Sequence, residues 1–412
     1  MSSTSDTSRG HDRGHDRRHD PGAVPGVLRG SAPFREFLDD VAALGIVPGG
    51  EASVRFGVVG SRSNERYWLI PLLSRRAALA GLAMFHPVSR LGHLSKVAAR
   101  IAIGAGVDRL WARQRIAFDI SGLTADYFDE PVEHIAMFTG TDGPHRKSAI
   151  EFIGPRGRVL GFAKITRAPH IAPFLRTEAE TLRRLEDLVL ESGETPKCLA
   201  FQDGGDVAII VTDSRKTHST RSPTAITEPH RRFLAELARK TQRDADGVVR
   251  ADLAQRFRDA RAGLPPHWKA RFAHGARLLA DNDIKVGLAH GDFTPWNCYL
   301  EADRIYVFDW EYADFAYPLG YDVMKFHISN SRESTHARLG RKIVTDTASL
   351  YFDGNERLAR AHYQLALLVH SAFYFRRAQV RGPGIDLWPE NTQFAALLDA
   401  ELGTPVPSEA PA

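Results

Sequence analysis

The sequence has almost no cysteine, only Cys198 and Cys298 in 412 residues. So thin a supply excludes a disulfide-stapled secreted scaffold and leaves both as reduced thiols of a cytoplasmic protein, small apolar fillers by size. Missing too is any run of about 18 apolar residues that could span a bilayer. The most apolar stretch, Ala77 to Phe85, is short and follows Arg75 and Arg76. The first 33 residues, mainly Ser, Gly, His, Asp and Arg, hold no apolar segment of a secretory signal. Strong charge of one sign is absent as well: the formal net charge is +4 and the pI near 9.0, too mild to argue for nucleic acid. What remains is an ordinary globular composition, 43% hydrophobic and 25% charged, with length enough for two or three domains of roughly 150 residues.

The chain divides by pattern. Residues 1–33 lack the apolar side chains that offset ordering entropy and read as a disordered polar tail. Within it a His-Asp pair repeats at His11, His15 and His19. That is a solvated tail or a set of metal ligands. From 34 to 130 an additional segment becomes foldable. Arg35 to Leu44 has helical spacing, Ser53 to Val59 and Tyr67 to Leu72 read as strands, and Ser74 to Arg115 as helix in pieces broken at Pro87 and Gly104. That last span is strongly basic. It is the wet face of a helical addition, or at most a peripheral contact with anionic lipid or another polyanion.

A hairpin follows at His134 to Ile153 around Gly140-Thr-Asp-Gly143-Pro, then a strand at Arg158 to Ile165, a helix at Phe174 to Leu190 and a strand at Asp206 to Val211. Beyond Thr212 the pattern is mainly helical, interrupted near Val286 to Phe308. Residues 131–213 thus form a small β-rich lobe and 214–402 a larger helical one, with a flexible end at 403–412. The fold class is α+β, two-lobed.

The chemistry concentrates at His290 to Asn297 (His-Gly-Asp-Phe-Thr-Pro-Trp-Asn) and at Asp309-Trp310-Glu311, which follows the strand-like Arg304 to Phe308. Phosphoryl transfer needs a carboxylate at the attacking hydroxyl, oxygen ligands for Mg²⁺ and cations on the phosphates. Asp292 and Asn297, with four residues between them, place a carboxylate and an amide oxygen on one tight loop. Asp309 adds a second carboxylate at a strand end, where buried neighbours fix it for a cation with near-octahedral demands.

These residues resemble the aminoglycoside phosphotransferase and choline kinase family, which shares the protein-kinase-like fold. The resemblance covers roughly residues 130 to 400 and implies ATP and Mg²⁺ as cofactors. It makes Asp292 the catalytic carboxylate, Asn297 and Asp309 the metal ligands and His290 the residue that holds the loop. It also implies that Lys164, a charge inside the apolar run Phe162 to Ile165 and in want of a partner, contacts the α/β-phosphates. Its helix partner is then Glu178, with Glu180 as the competitor. Gly140 and Gly143 fall in the phosphate-covering turn, and Val211 and Thr212 where the adenine-binding hinge lies. Glu311 and Asp322 read as nearby structural or substrate-side groups.

The implied activity is transfer of the γ-phosphate to a hydroxyl of a small molecule such as a sugar, an amino alcohol or an aminoglycoside-like compound. Arginines and lysines offset the acids of the helical half, which leans away from a polycationic acceptor. The rivals are a non-catalytic kinase-like binding module and nucleotidyl transfer from the same site.

Overall fold

The computed structural model describes residues 28–402, apart from 29, 51–52, 62–64, 86–89, 108–113, 141–145, 218–219, 221, 262–263, 265, 302, 332 and 382–388. The His-Asp repeat of the amino-terminal tail, Pro87, Gly143 and the carboxyl-terminal ten residues lie outside the described set.

Helix α1 (Ala32–Ala42) starts where Ser31 caps it, the hydroxyl accepting from the Phe34 N–H at 3.3 Å, with Pro33 in the first turn. It buries Phe34, Phe37 and Val41, a helical period of three and four. Strands β1 (Val47–Pro48), β2 (Ser53–Ser61) and β3 (Arg66–Pro71) follow. Next come α2 (Arg75–Gly81), a short 3₁₀ turn (Leu82–Met84), α3 (Arg90–Gly104) and β4 (Gln114–Asp119). The helical reading of Ser74 to Arg115 therefore runs too far. Its last residues open β4, whose exposed Gln114 and Arg115 precede the buried Ile116, Ala117 and Phe118.

The chain continues through β5 (His134–Phe138), β6 (Ser148–Ile153), β7 (Val159–Thr166), α4 (Ala172–Leu188), β8 (Gly193–Glu194), β9 (Cys198–Gly204) and β10 (Val207–Asp213). Nine strands make one antiparallel sheet in the order β1-β4-β2-β3-β5-β6-β7-β10-β9. The seam between the segment ending at 130 and the one that follows is the β3–β5 pairing, Trp68 opposite Phe138 and Leu69 opposite Met137. Tyr67 N–H also donates to Thr139 Oγ1 at 3.1 Å.

Strand alternation decides which side chain meets which layer. Tyr67, Leu69, Ala163, Ile165, Ile209 and Val211 enter the core shared with α1. Trp68 and Ile70 face the opposite way, against α2 and α3, while Ala208 and Ile210 meet α4. Helix α3 buries Ala99 and Ile103 and turns Lys96 inward, where the ammonium donates to the Phe85 carbonyl at 2.7 Å. Its outward face carries Leu94, Val97 and Ile101, so the basic span does not present the polar wet face read from its composition.

The larger lobe contains α5 (Glu228–Thr241), β11 (Arg243–Asp244), α6 (Gly247–Ala260), α7 (Pro266–Asp281), β12 (Lys285–Ala289), β13 (Cys298–Glu301), β14 (Arg304–Val307) and β15 (Asp314–Pro318). It ends with α8 (Tyr321–Ser329), α9 (His336–Tyr351), α10 (Glu356–Arg381) and α11 (Pro389–Leu402). Two three-stranded sheets, β11-β12-β15 and β13-β14-β8, hold the loop between β12 and β13. Beneath that loop, Leu175, Leu182 and Ile210 of the small lobe pack with Phe233, Phe293 and Trp310 of the large one in a single cluster.

Phe118 is fully buried and meets the rings of Phe37 and Phe56 edge-on, at 6.3 and 5.9 Å. Removing an aromatic side chain from such a site costs about 3–5 kcal/mol. Phe118→Ala is expected to lower stability by that amount in urea unfolding; a loss under about 1 kcal/mol would contradict this packing.

Candidate active site

Strand β12 is buried from Val286 to Ala289 and delivers His290-Gly291-Asp292 at its end. Gly291 takes φ +81°, and a Cβ there would lie 2.1 Å from the Tyr312 carbonyl oxygen, so only glycine fits. The loop backbone is held from below by Asp322 in the first turn of α8. Its carboxylate accepts from the His290 N–H at 2.7 Å and the Gly291 N–H at 3.1 Å. Burial pushes this carboxyl up to about 7, with the nearby Asp292 adding to the effect and the two backbone donors opposing it.

His290 has both ring nitrogens engaged with backbone. Nδ1 accepts from the Asp292 N–H at 3.2 Å, and Nε2–H donates to the Phe308 carbonyl at 2.9 Å. Burial holds the imidazole down at about 4, against the pull of that carbonyl, and so keeps it neutral. The ring thereby ties the loop to the residue before Asp309. Asn297 donates through Nδ2 to Asp292 Oδ2 at 2.9 Å and to the Asp292 carbonyl at 3.0 Å. The other oxygen, Oδ1, lies 3.1 Å from the ammonium of Lys325, which α8 carries one turn beyond Asp322.

The second group is built from both lobes. Lys164 on β7 reaches Glu178 of α4 at 2.6 Å and Asp309 of the large lobe at 2.5 Å. Burial works against the Lys164 charge, but the two carboxylates outweigh it and push the ammonium up to about 12. Burial likewise opposes ionisation of Asp309, yet Lys164 and then Lys147 hold its carboxyl far below the usual range. Asp309 adopts φ +74°, a left-handed conformation that Asp tolerates better than most residues. Lys147, on the arm entering β6, pairs with Glu311. Carboxylate oxygens of Glu178, Asp309 and Glu311 all lie within 4.8 Å of one another.

A cavity of about 430 Å³ opens between the lobes. At one end it is lined by Lys147, Lys164, Glu178, Asp292, Asp309 and Glu311; at the other by Met84, Phe162, Thr212, Asp213 and Phe308. Lys216 enters at this second end, its ammonium 3.5 Å from the centre of the Phe308 ring and 5.5 Å from that of Phe162. Burial pushes it down to about 7.

Of the residues singled out in the sequence, the structure gathers Asp292, Lys164, Glu178, Asp309 and Thr212 along this cavity. His290 and Asn297 stand behind Asp292. Glu178 is buried against Lys164, whereas Glu180 is exposed. Val211 turns into the core, away from the cavity. Gly140 takes φ +86° and closes the turn against the Lys147 carbonyl, 2.5 Å from where a Cβ would sit. Lys147, Lys216, Lys325 and Met84 were not read from the sequence. Their neighbours there are polar or helical runs that carry no motif, and Met84 reaches the cavity only because the 3₁₀ turn folds back over the sheet.

Residues 161–351, a little under half of the chain, match the model of a phosphotransferase enzyme family. No curated protein matches the chain by sequence. Solved structures similar to it include a thermostable mutant of aminoglycoside phosphotransferase APH(4)-Ia, at 15% identity, covering 63% of this chain and 92% of that one, with a TM-score of 0.42. Another is aminoglycoside phosphotransferase APH(3'')-Id from Streptomyces rimosus, solved with ADP and streptomycin, at 14% identity over 56% of this chain and 94% of its own, TM-score 0.35. A third, the aminoglycoside phosphotransferase of Alicyclobacillus acidocaldarius, shares 14% identity over 69% and 96% of the two chains, TM-score 0.34. The segment around the cavity is thus similar to a phosphotransferase enzyme family, the class that the His290–Asn297 motif resembles.

The raised carboxyl of Asp322 has a consequence for stability. Its folded value, about 7, stands above the ordinary 3.8, so its contribution is fully present below pH 4 and lost as pH rises through 7. Wild-type stability is expected to fall from pH 5 to 8 relative to Asp322→Asn, by a few kcal/mol at about 1.4 kcal/mol per unit. Urea midpoints across that range measure it; parallel curves for the two proteins would refute the shift.

Proposed function

We propose that the protein is an ATP- and Mg²⁺-dependent kinase that transfers the γ-phosphate to a hydroxyl of a small molecule. The observation that carries this reading is the Lys164 ammonium held at once by Glu178 and Asp309, with Asp292 across the same cavity. In the proposed reaction the acceptor oxygen forms a bond to the γ-phosphorus while the β–γ bridging P–O bond breaks and its electrons leave with ADP. The hydroxyl proton passes to a carboxylate oxygen of Asp292. Positioning and neutralisation of charge supply most of the rate in such chemistry, and the base contributes a further share.

Each role has support in the geometry. Both carboxylate oxygens of Asp292 are fixed, one by Asn297 and one by Lys325, so the group faces the acceptor in a set orientation. Lys164 and Lys147 offer two cations for the phosphates. The oxygen-only donor set of Glu178, Asp309 and Glu311 fits a hard divalent cation; the family resemblance adds Asn297, whose amide nitrogen is bonded to Asp292. Bound there, Mg²⁺ would neutralise charge on the phosphate oxygens; Asp309 is its main ligand in this reading. The end of the cavity with Phe162, Phe308 and Thr212 is the place for the base.

The acceptor is of low positive charge. Four acids of the large lobe are paired with arginines: Asp314 with Arg256, Asp399 with Arg271, Asp346 with Arg231 and Glu401 with Arg360. Carboxylates so engaged offer little to a polycation, which favours sugars and neutral or singly charged amino alcohols over aminoglycosides.

Incubation with γ-phosphate-labelled ATP, Mg²⁺ and pooled sugars and amino alcohols tests this: a labelled product heavier by one phosphate is expected. A product heavier by AMP, or none from any pool, would overturn it. With the acceptor so found, Asp292→Asn is expected to bind Mg·ATP normally but transfer about 10²–10⁴-fold more slowly. Asp309→Ala is expected to erase the gain in nucleotide affinity that Mg²⁺ confers, read by calorimetric titration with and without chelator. Wild-type behaviour in either variant contradicts the residue's role.

A further inference from the structure

We infer that the outer face of α3, in the segment that precedes the matched family region, is a docking surface for an anionic lipid bilayer. The observations are independent of the cavity chemistry. Leu94, Val97 and Ile101 are 67%, 52% and 67% exposed. At 100° per residue they form one stripe along the helix, which Ala98 and Ala105, also exposed, continue. Leu73 and Val107 are 61% and 40% exposed. They flank the end of the stripe, since Arg75 reaches the Gly104 carbonyl and ties the start of α2 to the end of α3. Five of the ten large hydrophobic side chains exposed among the described residues thus fall between 73 and 107. A soluble surface scatters such residues; clustering marks a contact.

Charge selects the occupant. From Arg66 to Val107 the sequence has no Asp or Glu, against Arg66, Arg75, Arg76, Arg90, Lys96 and Arg100. Lys96 is turned inward, while Arg75 and Arg76 are exposed and Arg100 is half-buried. An apolar stripe with Arg75 at its end and Arg100 on the same helix is the pattern of a helix lying in the headgroup region of an anionic membrane. A second copy of this chain would bring the same cations face to face. A stable protein partner needs roughly 800 Å² per side and aromatic anchors at its centre, which a single aliphatic stripe lacks. The chain's own first 27 residues, with Val24 and Val27 as their only branched aliphatics, have little to cover it. No helix among the described residues is long and apolar enough to cross a membrane, so the contact lies in the plane of the interface.

Co-sedimentation of the full chain with vesicles of phosphatidylcholine containing 30 mol% phosphatidylserine tests this, with pure phosphatidylcholine as the control. Binding at least about tenfold stronger to the anionic vesicles, lost at about 0.5 M salt, is expected. The triple variant Leu94→Ser, Val97→Ser, Ile101→Ser should lose about tenfold of that binding, and so should Arg75→Glu with Arg100→Glu. Unchanged calorimetric binding of Mg·ATP would show that each variant is folded; should the triple variant fail this, the Arg pair decides alone. The inference is overturned by equal binding to both vesicles, by none to either, by folded variants that bind as the wild type does, or by a concentration-dependent dimer that the substitutions abolish.

Discussion

One ammonium holds the site together. Lys164 comes from the sheet, Glu178 from the helix behind it and Asp309 from the other lobe, and the three meet within 2.7 Å contacts. A charge so enclosed is costly to leave unpaired, so the small lobe reaches a satisfied arrangement only when α4 and the large lobe both present their carboxylates. The interlobe cluster of Leu175, Leu182, Phe233, Phe293 and Trp310 sets that approach, and His290 couples the loop that carries Asp292 to the Phe308 carbonyl just before Asp309. The loop, the Asp309 carboxylate and the strand lysine are therefore one mechanical unit.

The early segment is structurally continuous with this unit. Its strands extend the same sheet, and α1 grips the arm that leads into the cavity. Arg146 is bonded to Asp40, to the Pro33 carbonyl and to Ser148, whose hydroxyl also bonds Asp40 at 2.6 Å. The next residue, Lys147, faces the opposite way and crosses to Glu311. Burial raises the Asp40 carboxyl above the usual carboxylate range, and the Ser148 hydroxyl and Arg146 oppose that. On the other face Trp68 stacks on Phe138 at 4.8 Å and meets Phe85 edge-on, beside Met84 at the cavity wall. The added segment thus contributes Met84 to the cavity lining and has a surface of its own.

The local part of the site was legible because its parts are close in the chain. Asp292 and Asn297 share one loop, and Asp309 ends the next strand but one. Lys164 announced itself as a charge in an apolar strand, and the helix after it supplied Glu178, with Glu180 excluded only by the direction the helix faces. Asp322 was noticed without its task, because holding two backbone N–H groups leaves no trace in sequence. Lys147, Lys216 and Lys325 owe their positions to tertiary folding. β4 was hidden because Gln114 and Arg115 continue a basic run whose pleat shows only at Ile116. The outer face of α3 was hidden for a related reason: counting arginines does not reveal that the helix turns Lys96 inward and Leu94, Val97 and Ile101 outward.

The most direct measurement is a crystal structure of the protein with Mg²⁺ and a non-hydrolysable ATP analogue. The account predicts the triphosphate against Lys164, a metal ion on Asp309, and the γ-phosphate facing Asp292 across the cavity. A nucleotide bound elsewhere, or a cavity in which Lys164 keeps both carboxylates and no phosphate approaches, would contradict it.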